Sequence, residues 1–246
     1  MEKDEYRKHF EMEEDFWWFR GRREVILSIL GSFNILDGKL DILDVGCGTG
    51  FNLTVFQTYG FPFGCDLSEE AIYFCQKRGL KNIAYADAGK LPYKDESFDL
   101  ITLLDVLYHK NVQNDMKVLL EIRRVLKKGG HLLMTDSAFN FLRSSHDVVF
   151  HTRERYNRKT LGERLEKANL SIKKMSYFNF FLFLAVLTIR IIEKGRFRGS
   201  KKVESSLKPV NKKINALLLN ILKFEAFLIG YVNFPFGSSI LCLAKK

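Results

Sequence analysis

Short apolar runs alternate with amphipathic stretches along the first two thirds of the chain. LDILDV (40–45), FPFGCD (61–66), NIAYA (82–86), FDLITLL (98–104) and GGHLLMT (130–136) are brief and apolar, and they predict strands. The stretches between them predict helices near 50–59, 68–78, 112–127 and 158–169. Ser68 stands as the N-cap of SEEAIYFCQKR, with carboxylates in its first turn. Upstream, Val25, Ile26, Ile29 and Leu30 recur at helical spacing and predict an N-terminal helix within 16–33. Strands alternating with helices predict a doubly wound α/β fold, a parallel sheet covered on both faces. After residue 170 the alternation breaks. SIKKMSY (171–177) and SSILCLAKK (238–246) predict a sixth and a last strand, which makes seven. Between them lie an apolar stretch (178–192), a basic loop (193–208) and an amphipathic helix (about 210–230). Ile214, Leu217, Leu218, Ile221 and Leu228 share one face of that helix.

The pattern divides the chain into an N-terminal cap (1–36), a sheet-forming unit (37–177), a helical insertion (178–237) and a final strand (238–246). Charge divides it differently. The net charge is +10 overall, but residues 1–150 hold 19 Lys and Arg against 23 Asp and Glu, and residues 151–246 hold 20 against 6. The first part is therefore −4 and the second +14. A basic second half favours anionic partners: phosphorylated compounds, nucleic acid or an anionic membrane surface. Met1 to Asp15 is acidic and lacks the order of a signal peptide, so a cytoplasmic location is expected. The four cysteines are scattered without a C-x-x-C pair, which gives no metal pattern and no disulfide framework. The stretch 178–192 is short for a membrane span, which needs about 20 apolar residues.

Leu43-Asp44-Val45-Gly46-Cys47-Gly48-Thr49-Gly50 joins the first strand to its helix. Glycines there let the backbone turn tightly and approach a ligand, at the position where open α/β sheets bind ligands. The spacing is G-x-G-x-G, unlike the G-x-G-x-x-G of nicotinamide-binding proteins. With Asp66, Asp87, FDLI and LKKGG following in order, the chain resembles class I S-adenosylmethionine (SAM)-dependent methyltransferases of the methyltransferase-11 and ubiquinone-biosynthesis-like kind. The resemblance is close over 40–136 and implies a Rossmann-like sheet with SAM as cofactor. It implies that Asp44 organises the loop and the methionine end. Gly46, Cys47, Gly48 and Gly50 would pass beneath the cofactor. Asp66, followed by Leu67, would bind the ribose hydroxyls, and Asp87 and Ala88 the adenine. Leu104 and Asp105 would wall the sulfonium.

The segment FWWFRGRR (16–23) is similar to one found in a subset of these enzymes that modifies glycans and lipids. There it helps close the cofactor pocket, which makes Trp18, Arg20 and Arg23 cofactor-binding candidates and predicts that Arg20→Ala weakens SAM binding. A hydroxyl acceptor must lose its proton, and histidine suits that step. His146 with Asp147 is the first candidate pair, and His109 after the fourth strand is the second. R-E-R-Y (153–156) departs from the R-R-Y-like run of the subset. The expected activity is methylation of an oxygen nucleophile on a small or lipid-linked acceptor, with no metal ion. The alternatives are an RNA or protein methyltransferase that uses the basic half, and a SAM-binding protein without catalysis. The insertion is expected to act as a lid, a dimer contact or a surface peripheral to the inner face of the membrane. A Pro-Phe-Gly run (235–237) leads into the last strand, as in the subset.

Overall fold

The computed structural model describes residues 3–197 and 209–246, except the side chains of residues 145, 146 and 194–197. Two helices come first, α1 (Lys3–Met12) and α2 (Trp17–Ser32). The alternating part follows as β1 (Leu40–Val45), α3 (Phe51–Phe56), β2 (Gly60–Asp66), α4 (Glu69–Lys77), β3 (Ile83–Tyr85), β4 (Phe98–Leu104), α5 (Asp115–Val125) and β5 (Leu126–Ser137). The chain then forms α6 (Ser145–Val149), α7 (Arg158–Lys167), β6 (Ser171–Phe178), α8 (Phe183–Phe197), α9 (Lys212–Ile229) and β7 (Ser239–Lys245).

The described strands make one seven-stranded sheet in the order β3-β2-β1-β4-β5-β7-β6. β7 runs antiparallel between β5 and β6, and the remaining neighbours, β3 to β5, are parallel. The central strands β1 and β4 coincide with the predicted runs. Both are buried on both faces, which is why their sequences are continuous apolar runs. Register aligns their C-terminal ends: Val45 faces Cys65 and Leu103, and Leu104 faces Thr135. The loops that follow these strands therefore open on one edge, where α/β sheets bind ligands.

Each face of the sheet has its own core. On one side, Val118, Leu119 and Ile122 of α5 and Leu161 and Leu165 of α7 pack against the strands. On the other, Val25, Ile26 and Ile29 of α2 pack with Ala226 and Ile229 of α9. Local chemistry fixes the helix starts. The Asn114 side chain accepts the Lys117 N–H at the start of α5, and Asn157 and Thr160 form a reciprocal capping box on α7. Ser68 holds the N-cap position of α4, but its side chain makes no cap bond there; its own N–H donates to Asp66 instead.

Three features depart from the sequence reading. The acidic N-terminus forms helix α1, whose Tyr6 packs with Ala71 and Phe74 of α4. The apolar stretch forms α8, which continues through 193–197 of the expected basic loop; residues 198–208 lie outside the described residues. On α9 the packed face is Leu219, Leu222, Ala226 and Ile229. The face selected by sequence spacing is displaced from it: Ile214 and Leu217 are exposed, and Leu218, Ile221 and Leu228 are half-buried. The helix is apolar on more than one side, so spacing alone could not choose which side α2 covers. Among the described residues, no helix is long and apolar enough to cross a membrane.

Candidate active site

The strand ends and the N-terminal helices enclose a cavity of about 1500 Å³. Its floor is the glycine loop after β1. Gly46, Gly48 and Gly50 all have positive φ (73°, 56° and 83°), which side chains rarely tolerate. A Cβ at Gly46 would lie 2.3 Å from Val106, whereas one at Gly48 would meet nothing within 4 Å. Gly48 thus leaves open space above the loop. Gly50 does not line the cavity; its missing side chain makes room for Leu80 and Cys75. Cys47 lines the loop as a thiol, and its contact with Cys75 and its burial push its pKa well up.

The acids are held by backbone and neighbours. Asp44 is buried beneath the loop, where it accepts the Thr102 hydroxyl at 2.6 Å, and burial pushes its pKa up to about 7. It supports the loop without reaching the cavity wall. Asp66 does reach it. One carboxylate oxygen accepts the Gly48 N–H at 3.0 Å and the other the Ser68 N–H at 2.9 Å. Each oxygen keeps acceptor capacity for a ligand diol. Burial raises the pKa of Asp66. Asp87 turns one oxygen back to the Gly89 N–H at 2.6 Å, and it lines the cavity with Leu67, Ala88, Leu104 and Asp105. These residues fit a nucleoside-bearing cofactor: a backbone cradle, a carboxylate for a diol and apolar walls for a base.

The aromatic-arginine segment forms the start of α2. Trp18 lines the cavity and stacks on Phe178 with ring centroids 5.9 Å apart. One helical turn later, Arg22 lines it too and pairs with Asp105. Asp105 itself has φ 58° and marks the tight turn after β4. Arg20 is not on the cavity wall. Arg23 donates to the carbonyls of Glu13 and Glu14 and lies over the Phe51 ring at 4.3 Å, so it fastens the cap to α3. Sequence reasoning missed Arg22, although the i, i+4 step from Trp18 would have found it. It also missed buried Glu13, which accepts from Thr49 of the glycine loop and from Arg78 of the turn after α4. That anchor needs α1 to be helical, which the polar N-terminus did not reveal.

The candidate bases separate. His109 lines the cavity, half-buried; its Nδ1 accepts the Asn111 N–H at 3.2 Å, and its ring lies 5.7 Å from that of His151. Burial pushes its pKa down to about 4, with His151 and Lys110 adding to the effect. Asp147 is buried in a two-point pair with Arg155, at 2.7 and 3.0 Å, and also accepts the Ser144 N–H. The pair is a structural clamp, away from the cavity wall on the Asp147 side. His146 belongs to α6, and its side chain lies outside the described residues. The R-E-R-Y run divides its charges: Arg153 pairs with Asp115, Glu154 with Arg164, and Arg155 with Asp147. Among the described residues, no cluster of His, Cys, Asp and Glu could hold a metal ion.

Comparison with known proteins agrees with this geometry. Residues 43–134 match the family described as "Methyltransferase domain". The chain is 39% identical over 95 residues to a tRNA (carboxymethyluridine(34)-5-O)-methyltransferase of Arabidopsis thaliana, covering 38% of this chain and 23% of that protein. It is 34% identical over 121 residues to a phthiotriol/phenolphthiotriol dimycocerosates methyltransferase of Mycobacterium ulcerans, covering 46% of this chain and 41% of that one. Each match therefore spans less than half of the relative. A solved S-adenosylmethionine-dependent methyltransferase from Mesorhizobium loti shares the fold with a TM-score of 0.58 at 18% identity, over 88% of this chain and 96% of its own. The sheet shares its fold with that enzyme, and residues 43–134 carry a class I SAM-dependent methyltransferase domain.

Proposed function

We propose that this chain moves the methyl group of SAM to an oxygen nucleophile on a small or lipid-linked acceptor. The observation that carries the acceptor class is the cavity beyond the cofactor residues. The whole cavity, cofactor residues included, is about 1500 Å³, above the roughly 300–1,000 Å³ of common single-ligand sites, which leaves room for an acceptor beside SAM. Val186 and Ile189 of α8, Val210, and Leu218 of α9 bring aliphatic side chains to its wall, beside the Arg190–Glu193 pair of α8. Those residues suit an apolar acceptor body. In this reading the enzyme works in the cytoplasm, peripherally at the inner face of the membrane.

SAM would supply a methyl group already activated by its sulfonium. The protein's share is to hold and orient, which can contribute about 7–11 kcal/mol, and to take a proton. Asp66 holds the ribose diol, Asp87 and Ala88 flank the base, and Gly46 to Gly48 form the cradle. Arg22 and Asp105 stand at the far end of the loop, toward the acceptor. His109 receives the acceptor's hydroxyl proton. The neutral ring that accepts the Asn111 N–H on Nδ1 carries its proton on Nε2, so Nδ1 is the basic atom. Asp147 serves through Arg155, which lines the cavity.

The test is to incubate the protein with methyl-labelled SAM and a whole-cell extract of its source, then partition the label. Label in organic solvent supports the lipid-linked acceptor, and label in water-soluble small molecules supports the small one. Label in RNA or protein overturns both. RNA is the second reading because the C-terminal half is strongly basic and one relative is named as a tRNA methyltransferase.

A further inference from the structure

The C-terminal helices carry an apolar surface that neither the core nor the cavity uses. Opposite its packed face, α9 presents Leu217, Phe224, Phe227 and Tyr231 just beyond its end, each more than half exposed. Their helical spacing puts them on one side. From Phe224 a chain of ring contacts continues across the molecule. Phe224 meets Phe181 at 5.7 Å, Phe181 meets Phe180 at 5.2 Å, Phe180 meets Phe236 at 4.6 Å, and Phe236 meets Phe183 at 5.1 Å. Phe183 then reaches exposed Phe141 at 6.5 Å. Phe181 and Phe236 are exposed as well, while half-buried Phe180 and buried Phe183 join the exposed rings from beneath. On α8, Leu184 and Ile191 extend it with exposed aliphatic side chains. A soluble surface rarely carries an apolar patch of this extent without a partner.

Charge identifies the partner. The acids of α8 and α9 are Glu193 and Glu225. Glu193 pairs with Arg190 at 2.9 Å, and Glu225 is buried, where it accepts the backbone N–H groups of Phe180 and Phe181. Neither offers a free carboxylate to the surface. The exposed charges of α9 are Lys212, Lys213 and Lys223. Lys223 pairs with Glu24 of α2 at 3.6 Å, so Lys212 and Lys213 are the α9 cations for lipid phosphates. Aromatic rings with lysines beside them match the headgroup region of an anionic bilayer, where each cation contributes about 1 kcal/mol. A two-fold pairing with a second copy would instead set lysines near lysines.

We propose that the α8–α9 face docks on an anionic bilayer, with its rings at headgroup depth and its lysines on the lipid phosphates. The contact is peripheral, since no described helix is long and apolar enough to span. Val186, Ile189 and Leu218 of the same two helices line the cavity, so docking would set the cavity beside the lipid. This inference rests on the lipid-acceptor reading for its purpose, but the docking itself is measured separately.

The experiment is flotation of the full-length protein, without cofactor or acceptor, on vesicles of phosphatidylcholine alone and of phosphatidylcholine with phosphatidylglycerol. The protein should float with the anionic vesicles, less so in high salt, and not with the neutral ones. Phe224→Asp with Phe227→Asp should weaken binding about tenfold or more, while calorimetry shows unchanged SAM affinity. Lys212→Glu with Lys213→Glu should weaken it as well. Absence of flotation would overturn the proposal, as would flotation untouched by either pair, or a dimer in light scattering that the aromatic pair abolishes. If flotation holds but the methyl label enters RNA, the docking stands and the lipid-acceptor reading falls.

Discussion

The cofactor half and the C-terminal half solve opposite problems. Residues 1–150 carry a net charge of −4, and their cofactor site is made of backbone turns and fixed acids. Residues 151–246 carry +14 and contribute aliphatic and aromatic walls. In the first half the three acids of the site have fixed partners: Asp66 on Gly48 and Ser68, Asp44 on Thr102, Asp87 on Gly89. On α8 and α9 the acids Glu193 and Glu225 are spent on internal bonds, and large apolar side chains stand exposed. A fixed ligand selects for precise donors and acceptors. The proposed apolar acceptor would select for shape and for access.

His109 stands where the halves meet, and replacing it should have the largest effect. His109→Asn should cut turnover about 100-fold, within the usual range for a positioned base, while SAM affinity stays within about twofold. The pH profile sharpens the test. Burial lowers this imidazole to about 4, so the neutral, active form persists down to that pH. Turnover should be level from neutral pH to about 5 and fall below 4. A fall centred near the ordinary histidine value of about 6.5 would assign the base elsewhere. The same shift has a consequence for stability. The unfolded chain binds the proton more readily than the folded one between about 6.5 and 4, so this group's contribution is lost as pH falls through that window.

Asp66→Ala tests the cofactor half alone. It removes the proposed acceptor for two ligand hydroxyls and also releases the Gly48 and Ser68 N–H groups. SAM affinity should fall about 100-fold by calorimetry. Asp66→Asn should lose less, because its amide oxygen still accepts. Equal loss in both would mean that the negative charge itself matters more than the bonds.

The halves are also joined mechanically. Gly21 of α2 lies against α9, where an added Cβ would stand 2.3 Å from Leu222 Cδ1 and 2.6 Å from its Cβ. Gly21→Ala should destabilise by about 1–3 kcal/mol through overpacking, read as a lower midpoint in thermal or urea unfolding. Gly31, in the same helix, has nothing within 4 Å of the corresponding position. Gly31→Ala should stabilise by about 0.5–1 kcal/mol. If both substitutions stabilise, α9 does not pack on α2 as described.

This asymmetry explains what was legible in the sequence. β1 and β4 are short runs buried on both faces, so local composition marks their ends. The glycine loop and Asp66 lie within about twenty-five residues and carry a spacing that geometry demands. Glu13 was invisible because its partners, Thr49 and Arg78, are far along the chain and the helix just before it, α1, is polar. Asp147 meets Arg155 eight positions away, a partner that sequence adjacency did not suggest, while the His146 side chain lies outside the described residues. The packed face of α9 was hidden for a different reason: two of its faces are apolar, and only the position of α2 distinguishes them.

The start of α2 offers the finest test, because sequence and structure nominate different arginines. Arg20 belongs to the motif-like segment, yet it does not line the cavity. Arg22 lines it, follows Trp18 by one turn and pairs with Asp105 at the end of β4. Its guanidinium also lowers the pKa of nearby Asp44, against the larger effect of burial. Arg22→Gln keeps a long polar side chain but removes the charge facing the two acids. SAM affinity should then weaken about tenfold, the scale of one charge-assisted bond, while Arg20→Ala stays within about twofold. The opposite ranking would mean that the motif, and not the helical face, chooses the residue. Equal and small effects from both would show that the cap closes the cavity through its aromatic rings alone, and Trp18→Ala would then carry the loss.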